Sequence, residues 1–242
     1  MPQRERAGLT ARPLLFDLDG TLVDSIELIL SSFRHACRTH LDRLPPDEEW
    51  IAGIGTPLLT QLRGIAPSDA VAEAMARSYR AYQREHHDTL MREYPGVRET
   101  LALLRGRGHP TALVTSKVSE LALKALVFTG LENTMDVIIG CDHCSQHKPH
   151  PEPVLLALRQ LGRGANGAVF VGDSPHDVAS GKAAGVLTVG ALWGPFSRSE
   201  LEQASPDRLL SDIRELPALI DRLDLDAGNH GTDSNLSAGR AI

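Results

Sequence analysis

From residue 97 onward the chain alternates helix-period and strand-length apolar segments, and this alternation restricts the fold more than any other feature. Residues 97–107 read as a helix that leads through Gly108 and Pro110 to an apolar strand at 111–114. A helix at 119–127 precedes a strand at 136–139, and a helix at 152–161 precedes a strand at 168–171. A helix at 177–184 then leads to a strand at 187–189. Short strands flanked by glycine, each separated from the next by a helix, predict a parallel sheet with crossover helices. The fold class expected is α/β, a doubly wound parallel sheet.

Upstream the rhythm differs. Residues 14–18 form an apolar run of strand length, and after Asp24 the residues Ile26, Ile29, Leu30 and Phe33 recur at helical spacing until Pro45-Pro46. Residues 46–91 are rich in Ala, Arg, Glu and Leu and read as several helices. They are broken at Gly53-Ile54-Gly55-Thr56-Pro57 and at Ala66-Pro67-Ser68-Asp69, a turn with a helix cap. No strand pattern appears between Asp24 and Tyr94, so this stretch reads as a helical module inserted after the first strand. The expected division is a core of residues 13–23 and 97–224, an inserted module of residues 24–96, and flexible tails at 1–12 and 225–242.

In a doubly wound sheet, ligands bind beyond the carboxyl ends of the strands. The residues following the four strands are Asp17, Asp19, Gly20 and Thr21; Thr115 and Ser116; Lys148; and Asp173 and Asp177. Asp17 and Asp19 are two apart, so an extended backbone turns both to one side and leaves Leu18 to the core. Four carboxylates in a small space cannot all stay ionised without a counter-charge, and a hard divalent cation with oxygen ligands, Mg2+, supplies one. Lys148, Thr115, Ser116 and the amides of the turn after Asp19 add donors suited to a phosphoryl group. One aspartate can attack phosphorus and the other can move the proton of the leaving oxygen.

The ordered strings DLDGT, VTS, HKP and GDSPHD resemble the four motifs of the haloacid dehalogenase superfamily, over about residues 14–221. The resemblance implies a Rossmann-like core with an inserted α-helical cap and Mg2+-dependent phosphoryl transfer. It implies that Asp17 is the nucleophile and a metal ligand. Asp19 is the acid/base and reaches the metal through its backbone carbonyl. Thr115 and Lys148 bind the phosphoryl group, and Asp173 and Asp177 serve the metal. An aspartate at position 19 points to phosphoryl transfer rather than dehalogenation. The cap strings IGTP, LILSSFRHA, YRAYQREHHD and EYPGV resemble bacterial pyrophosphatases of this superfamily, themselves close to phosphoglycolate phosphatases. Thr56 and His87 are the cap residues expected to meet substrate. The function expected is hydrolysis of a small phosphate compound, pyrophosphate or phosphoglycolate. The alternatives are a sugar-phosphate mutase of the same fold and a non-catalytic phosphate-binding protein.

Other readings fall away on composition and pattern. The net charge is −6, from 25 basic and 31 acidic residues, and no basic block marks a nucleic-acid partner. No apolar run approaches the roughly 18 residues that span a membrane. The N-terminal MPQRERAGLTARP has no apolar stretch of the secretory kind. Three cysteines make no disulfide framework and place the chain in a reducing cytoplasm. Cys141, Cys144 and nearby histidines lack the second ligand pair of a zinc site, and read as incidental. No G-x-x-x-x-G-K-[ST] string occurs, since Gly181-Lys182 continues into Ala183. Arg63 and Arg92 read as solvated helix charges, and Trp193 as packing. The sequence leaves the oligomeric state open.

Overall fold

A computed structural model of the protein describes residues 11–232, with residues 227–232 by backbone alone. Most of both expected tails lies outside these residues. Two pieces inside them differ from the expectation. Arg12 is tied down, its guanidinium bonding Asp224 and the carbonyls of Gly167 and Leu223. The last helix continues to Thr232 through a stretch without apolar periodicity.

Six parallel strands form the sheet: β1 (Leu14–Phe16), β4 (Thr111–Val114), β5 (Val137–Ile139), β6 (Val169–Gly172), β7 (Leu187–Ala191) and β8 (Arg208–Leu210). Their order is β5-β4-β1-β6-β7-β8. The central strands β1 and β6 carry no polar side chain, and β4 and β7 carry one threonine each, because helices cover both faces, as parallel sheets require. Side-chain alternation divides them cleanly. Leu14, Phe16, Leu113, Val169 and Val171 pack toward α5 (Val97–Gly106), α6 (Ser119–Thr129) and α10 (Leu216–Thr232). Leu15, Ala112, Val114 and Phe170 pack toward α7 (Glu152–Gln160) and α8 (Pro175–Ala184). Each fully buried Leu or Phe contributes roughly 1.5–3 kcal/mol. Pairing leaves β1 central, between β4 and β6. The chain winds outward from β1 to β5, then returns to β6, so the switch in winding falls beside β1.

The inserted stretch holds α1 (Ile26–His40), α2 (Asp47–Ile51), α3 (Leu58–Ile65) and α4 (Asp69–Leu90). Ser68 caps α4 by accepting from the Val71 N–H, as its turn sequence predicts. Phe33 stacks on Trp50 with ring centroids 4.2 Å apart, and Tyr79 completes this small core. The stretch is not strand-free, as the sequence led one to expect. Val23–Asp24 (β2) pairs antiparallel with Arg92–Glu93 (β3). Two-residue strands are too short to show a period, so they were invisible to pattern. They form the stem that joins the helices to the sheet. A ninth helix, α9 (Arg198–Ala204), and β8 extend the sheet edge beyond the last strand expected.

The apolar cluster around Phe33 and Trp50 is continuous with Val178, Phe196 and Leu201 of the sheet domain. Gly55 lies close against Ser174 and His176, and its carbonyl accepts a hydrogen bond from Ser116. The helical module is therefore seated on the sheet domain.

Candidate active site

Asp17 directly follows β1, and its N–H donates to the Val171 carbonyl at 2.9 Å. That bond continues the ladder one residue beyond the strand and holds Asp17 at the sheet's carboxyl edge. The chain then turns. The Leu18 carbonyl accepts from the N–H groups of Thr21, Leu22 and Val23, and Leu18 is fully buried. Gly20 takes φ +86°, and a Cβ there would lie 2.5 Å from the Asp173 Oδ2. Only glycine fits both constraints. Asp17 and Asp19 consequently line one cavity.

Asp173 follows β6. Asp177 opens α8 in a capping box: its Oδ2 accepts from the Ser174 hydroxyl at 2.6 Å, and its own N–H donates to that hydroxyl. Its Oδ1 accepts from Lys148 Nζ at 2.6 Å, and the same ammonium donates to Asp17 Oδ1 at 2.7 Å. Thr21 donates to Asp173 Oδ1 at 2.7 Å. Asp17, Lys148, Asp173 and Asp177 are each 5 % exposed or less.

Three buried carboxylates therefore lie around one ammonium that bonds only Asp17 and Asp177, and the electrostatics reflect the deficit. Burial pushes the Asp17 carboxyl up to about 7, with Asp177 and Asp19 adding to the shift and Lys148 opposing it. Burial also raises Asp173 well above the usual carboxylate range, with Asp17 and Asp177 adding to it. Burial disfavours the Lys148 ammonium, but Asp17 and Asp177 outweigh that penalty and its pKa rises. Oxygens of Asp17, Asp173 and Asp177 lie within 4.8 Å of one another. Asp173 Oδ2 is buried without a partner. An all-oxygen donor set, a missing positive charge and an orphaned carboxylate oxygen fit a hard divalent cation. The Asp19 carboxylate lies outside this cluster. Its Oδ1 accepts from Ser25 Oγ at 2.5 Å and from Lys117 Nζ at 2.7 Å.

The cavity has a volume of about 180 Å³. Asp17, Asp19, Thr115, Ser116 and Lys117 form its floor, and α2, α3, α4 and the Gly55 loop form its roof. Lysine and carboxylates thus lie at the sheet edge with a helical roof above.

Comparison with known proteins agrees. Residues 14–191 match the haloacid dehalogenase-like hydrolase family. The chain belongs to that family. It is 38% identical over 211 residues to pyrophosphatase PpaX of Bacillus pumilus, covering 87% of this chain and 97% of that protein. It is 38% identical over 208 residues to pyrophosphatase PpaX of Halalkalibacterium halodurans, covering 86% and 94%. Among solved structures, a predicted phosphoglycolate phosphatase from Haemophilus somnus superimposes with TM-score 0.80 at 25% identity, covering 88% of this chain and 99% of that one. A hydrolase from Pseudomonas syringae gives 0.76 at 26%, covering 87% and 98%.

Within this family fold, the expected site residues do not all stand in the same place. Asp17, Asp19, Thr115 and Ser116 line the cavity, with Lys148, Asp173 and Asp177 buried in the polar cluster that includes Asp17. The Ser116 hydroxyl is spent on the Gly55 carbonyl. Thr115 Oγ1 accepts from the Lys117 N–H at 3.2 Å, which leaves its proton for a ligand. Thr56 lines the cavity, but its hydroxyl donates to Gly53 at 2.7 Å. His87 does not line the main cavity. It borders a separate hollow of about 10 Å³, room for one water, and its ring meets Phe128 edge-on. His86 stacks on Tyr82. Arg63 and Arg92 pair with Asp69 and Asp24 at the surface. Trp193 packs against the core, and its indole donates to the Thr21 carbonyl.

Sequence reasoning missed Lys117, Ser25, Trp50 and Arg80. Lys117 had a local signal, standing two residues after Thr115 in the same post-strand loop. Trp50 and Arg80 had none, because they sit on separate helices that only tertiary packing brings together. Cys141 also lines the cavity, as a free thiol.

Proposed function

We propose that the chain is a Mg2+-dependent phosphohydrolase that carries the phosphoryl group on Asp17. The observation that supports this most is the buried cluster of Asp17, Lys148, Asp173 and Asp177, opening on a roofed cavity that Asp19 also lines. Lys148 engages Oδ1 of Asp17, so Oδ2 is the oxygen that bonds to phosphorus. Both donors to Asp19 fall on Oδ1, which leaves Oδ2 to give a proton to the leaving oxygen and later to take one from water. Lys148 and the Thr115 hydroxyl hold the phosphoryl oxygens. Asp17, Asp173 and Asp177 would hold Mg2+, with the Asp19 carbonyl as a further ligand. The ion supplies charge neutralisation to the phosphoryl group. The module of residues 24–96 acts as a cap that excludes water other than the hydrolytic one.

Pyrophosphate is the first substrate proposed, from the relatives of 38% identity. Phosphoglycolate is the second, favoured by a cavity wall of Ile29, Ile54, Leu58 and Leu121, which suits carbon better than a fully hydrated phosphate. Phosphate release with Mg2+, comparing kcat/KM for the two compounds, tests the reading. Turnover of either that disappears in Asp17→Asn supports it, and turnover retained by a folded Asp17→Asn variant contradicts it.

A further inference from the structure

Arg80 lies on α4, half-buried, and lines the same cavity as Asp17 and Asp19. Among the described residues it makes no ion pair, unlike Arg34, Arg98 and Arg105, each of which has found a carboxylate. Burial and Asp142 push the Cys141 thiol up, and Arg80 is near enough to work against that shift. Arg80 and Cys141 of the sheet domain line the same cavity. Trp50 lines the cavity too, is 4 % exposed, and its buried indole N–H has no acceptor. From the sheet domain comes Lys117, whose ammonium has one carboxylate partner, Asp19. Apolar side chains, Ile29, Ile54, Val118 and Leu121, fill the wall between.

A buried donor without an acceptor costs about 1–3 kcal/mol, and a guanidinium is a planar fork matched to carboxylate or phosphate oxygens. The orphaned Trp50 indole N–H and an arginine without a carboxylate partner, in one mostly apolar cavity, describe a receptor for an anion. The floor of the cavity already receives the phosphoryl group that is transferred.

We propose that Arg80, with Trp50 and Lys117, binds an anionic end of the leaving group, the part of the substrate that never bonds to Asp17. The inference rests on the phosphohydrolase reading for where the substrate's other end lies. Its chemistry is shared by two sources: the phosphate released from pyrophosphate and the carboxylate of a short phosphorylated acid. The substrate class is then a phosphate compound with a second anionic group, not an ester of a neutral alcohol. The apolar wall strengthens the contact by keeping the local dielectric low.

Binding of non-hydrolysable analogues tests this without any turnover. Titration calorimetry with Mg2+ present would compare phosphonoacetate and methylenediphosphonate with methylphosphonate, which lacks the second anion. The wild-type protein should bind at least one of the two-ended ligands about tenfold or more tighter than methylphosphonate. Arg80→Met should erase most of that preference and Arg80→Lys should keep part of it. The comparison between variants removes any contribution from Mg2+ chelation in solution. Tighter methylenediphosphonate identifies a phosphate leaving group, and tighter phosphonoacetate a carboxylate. Absence of a preference in the wild type, or an undiminished one in a folded Arg80→Met, overturns the proposal. Loss of turnover on every phosphate compound would instead count against the phosphohydrolase reading and leave this binding result standing.

Discussion

Asp17, Lys148 and Asp177 form a chain of short contacts in which one ammonium serves two carboxylates. Removing the carboxylate charge of Asp17 and removing the ammonium should therefore have opposite consequences for stability. Asp17→Asn should lower turnover by about a thousandfold or more, because an amide oxygen is a poor nucleophile. Its metal-free Tm should not fall, since Lys148 keeps Asp177. Lys148→Met leaves three carboxylates buried without a counter-charge and should cost roughly 3–5 kcal/mol in urea unfolding with EDTA present. A Lys148→Met protein as stable as wild type would show that the cluster is not the buried ionic core described. At this scale much of the site was legible in the sequence. Asp17, Asp19, Thr115, Lys148, Asp173 and Asp177 each follow a strand, so topology alone gathers them. Arg80 and Trp50 were not legible, because no local pattern ties residues on α2 and α4 to a cavity formed when the helices seat on the sheet.

Helices α1–α4 form the roof through their own small core and through the contact at Gly55. Phe33 stacks on Trp50 beneath the cavity wall, so Phe33→Ala should cost roughly 3–5 kcal/mol and raise KM before it lowers kcat. Gly55 has φ +99°, and a Cβ there would lie 2.6 Å from the Ser174 hydroxyl. Gly55→Ala should cost about 1–2 kcal/mol from backbone strain alone and should also lift the roof from Ser174. Steady-state kinetics should show the larger effect in KM, and an unchanged KM would separate this loop from substrate capture. The long elements were readable because helix and strand periods persist over many residues. The stem β2–β3 and the edge strand β8 were not, since two or three residues cannot display a period and β8 begins with an exposed arginine.

For the whole molecule, the cluster couples folding to protons and, on the proposed function, to Mg2+. Asp17 and Asp173 keep their protons to higher pH in the folded chain than in the unfolded one. Between the ordinary carboxylate value of 3.8 and about 7, the folded chain therefore holds more protons, and stability of the metal-free protein falls as pH rises. Mg2+ requires the ionised carboxylates, so its stabilisation should grow over the same window. Thermal melts from about pH 5 to about pH 8, with Mg2+ or EDTA, should show a gap in Tm that widens with pH. A constant gap would place the ion elsewhere. The sheet order could be anticipated in kind, a doubly wound parallel sheet, from alternation alone. The seating of the helical module could not, because it depends on contacts such as Ser116 with Gly55 that join distant parts of the chain.

The most direct test is acid quench during turnover of pyrophosphate or phosphoglycolate with Mg2+, followed by peptide mass spectrometry. The account predicts a phosphoryl group on the peptide that contains Asp17, absent from Asp17→Asn. Active turnover with no phosphorylated peptide, or a folded Asp17→Asn variant that still turns over, would contradict it.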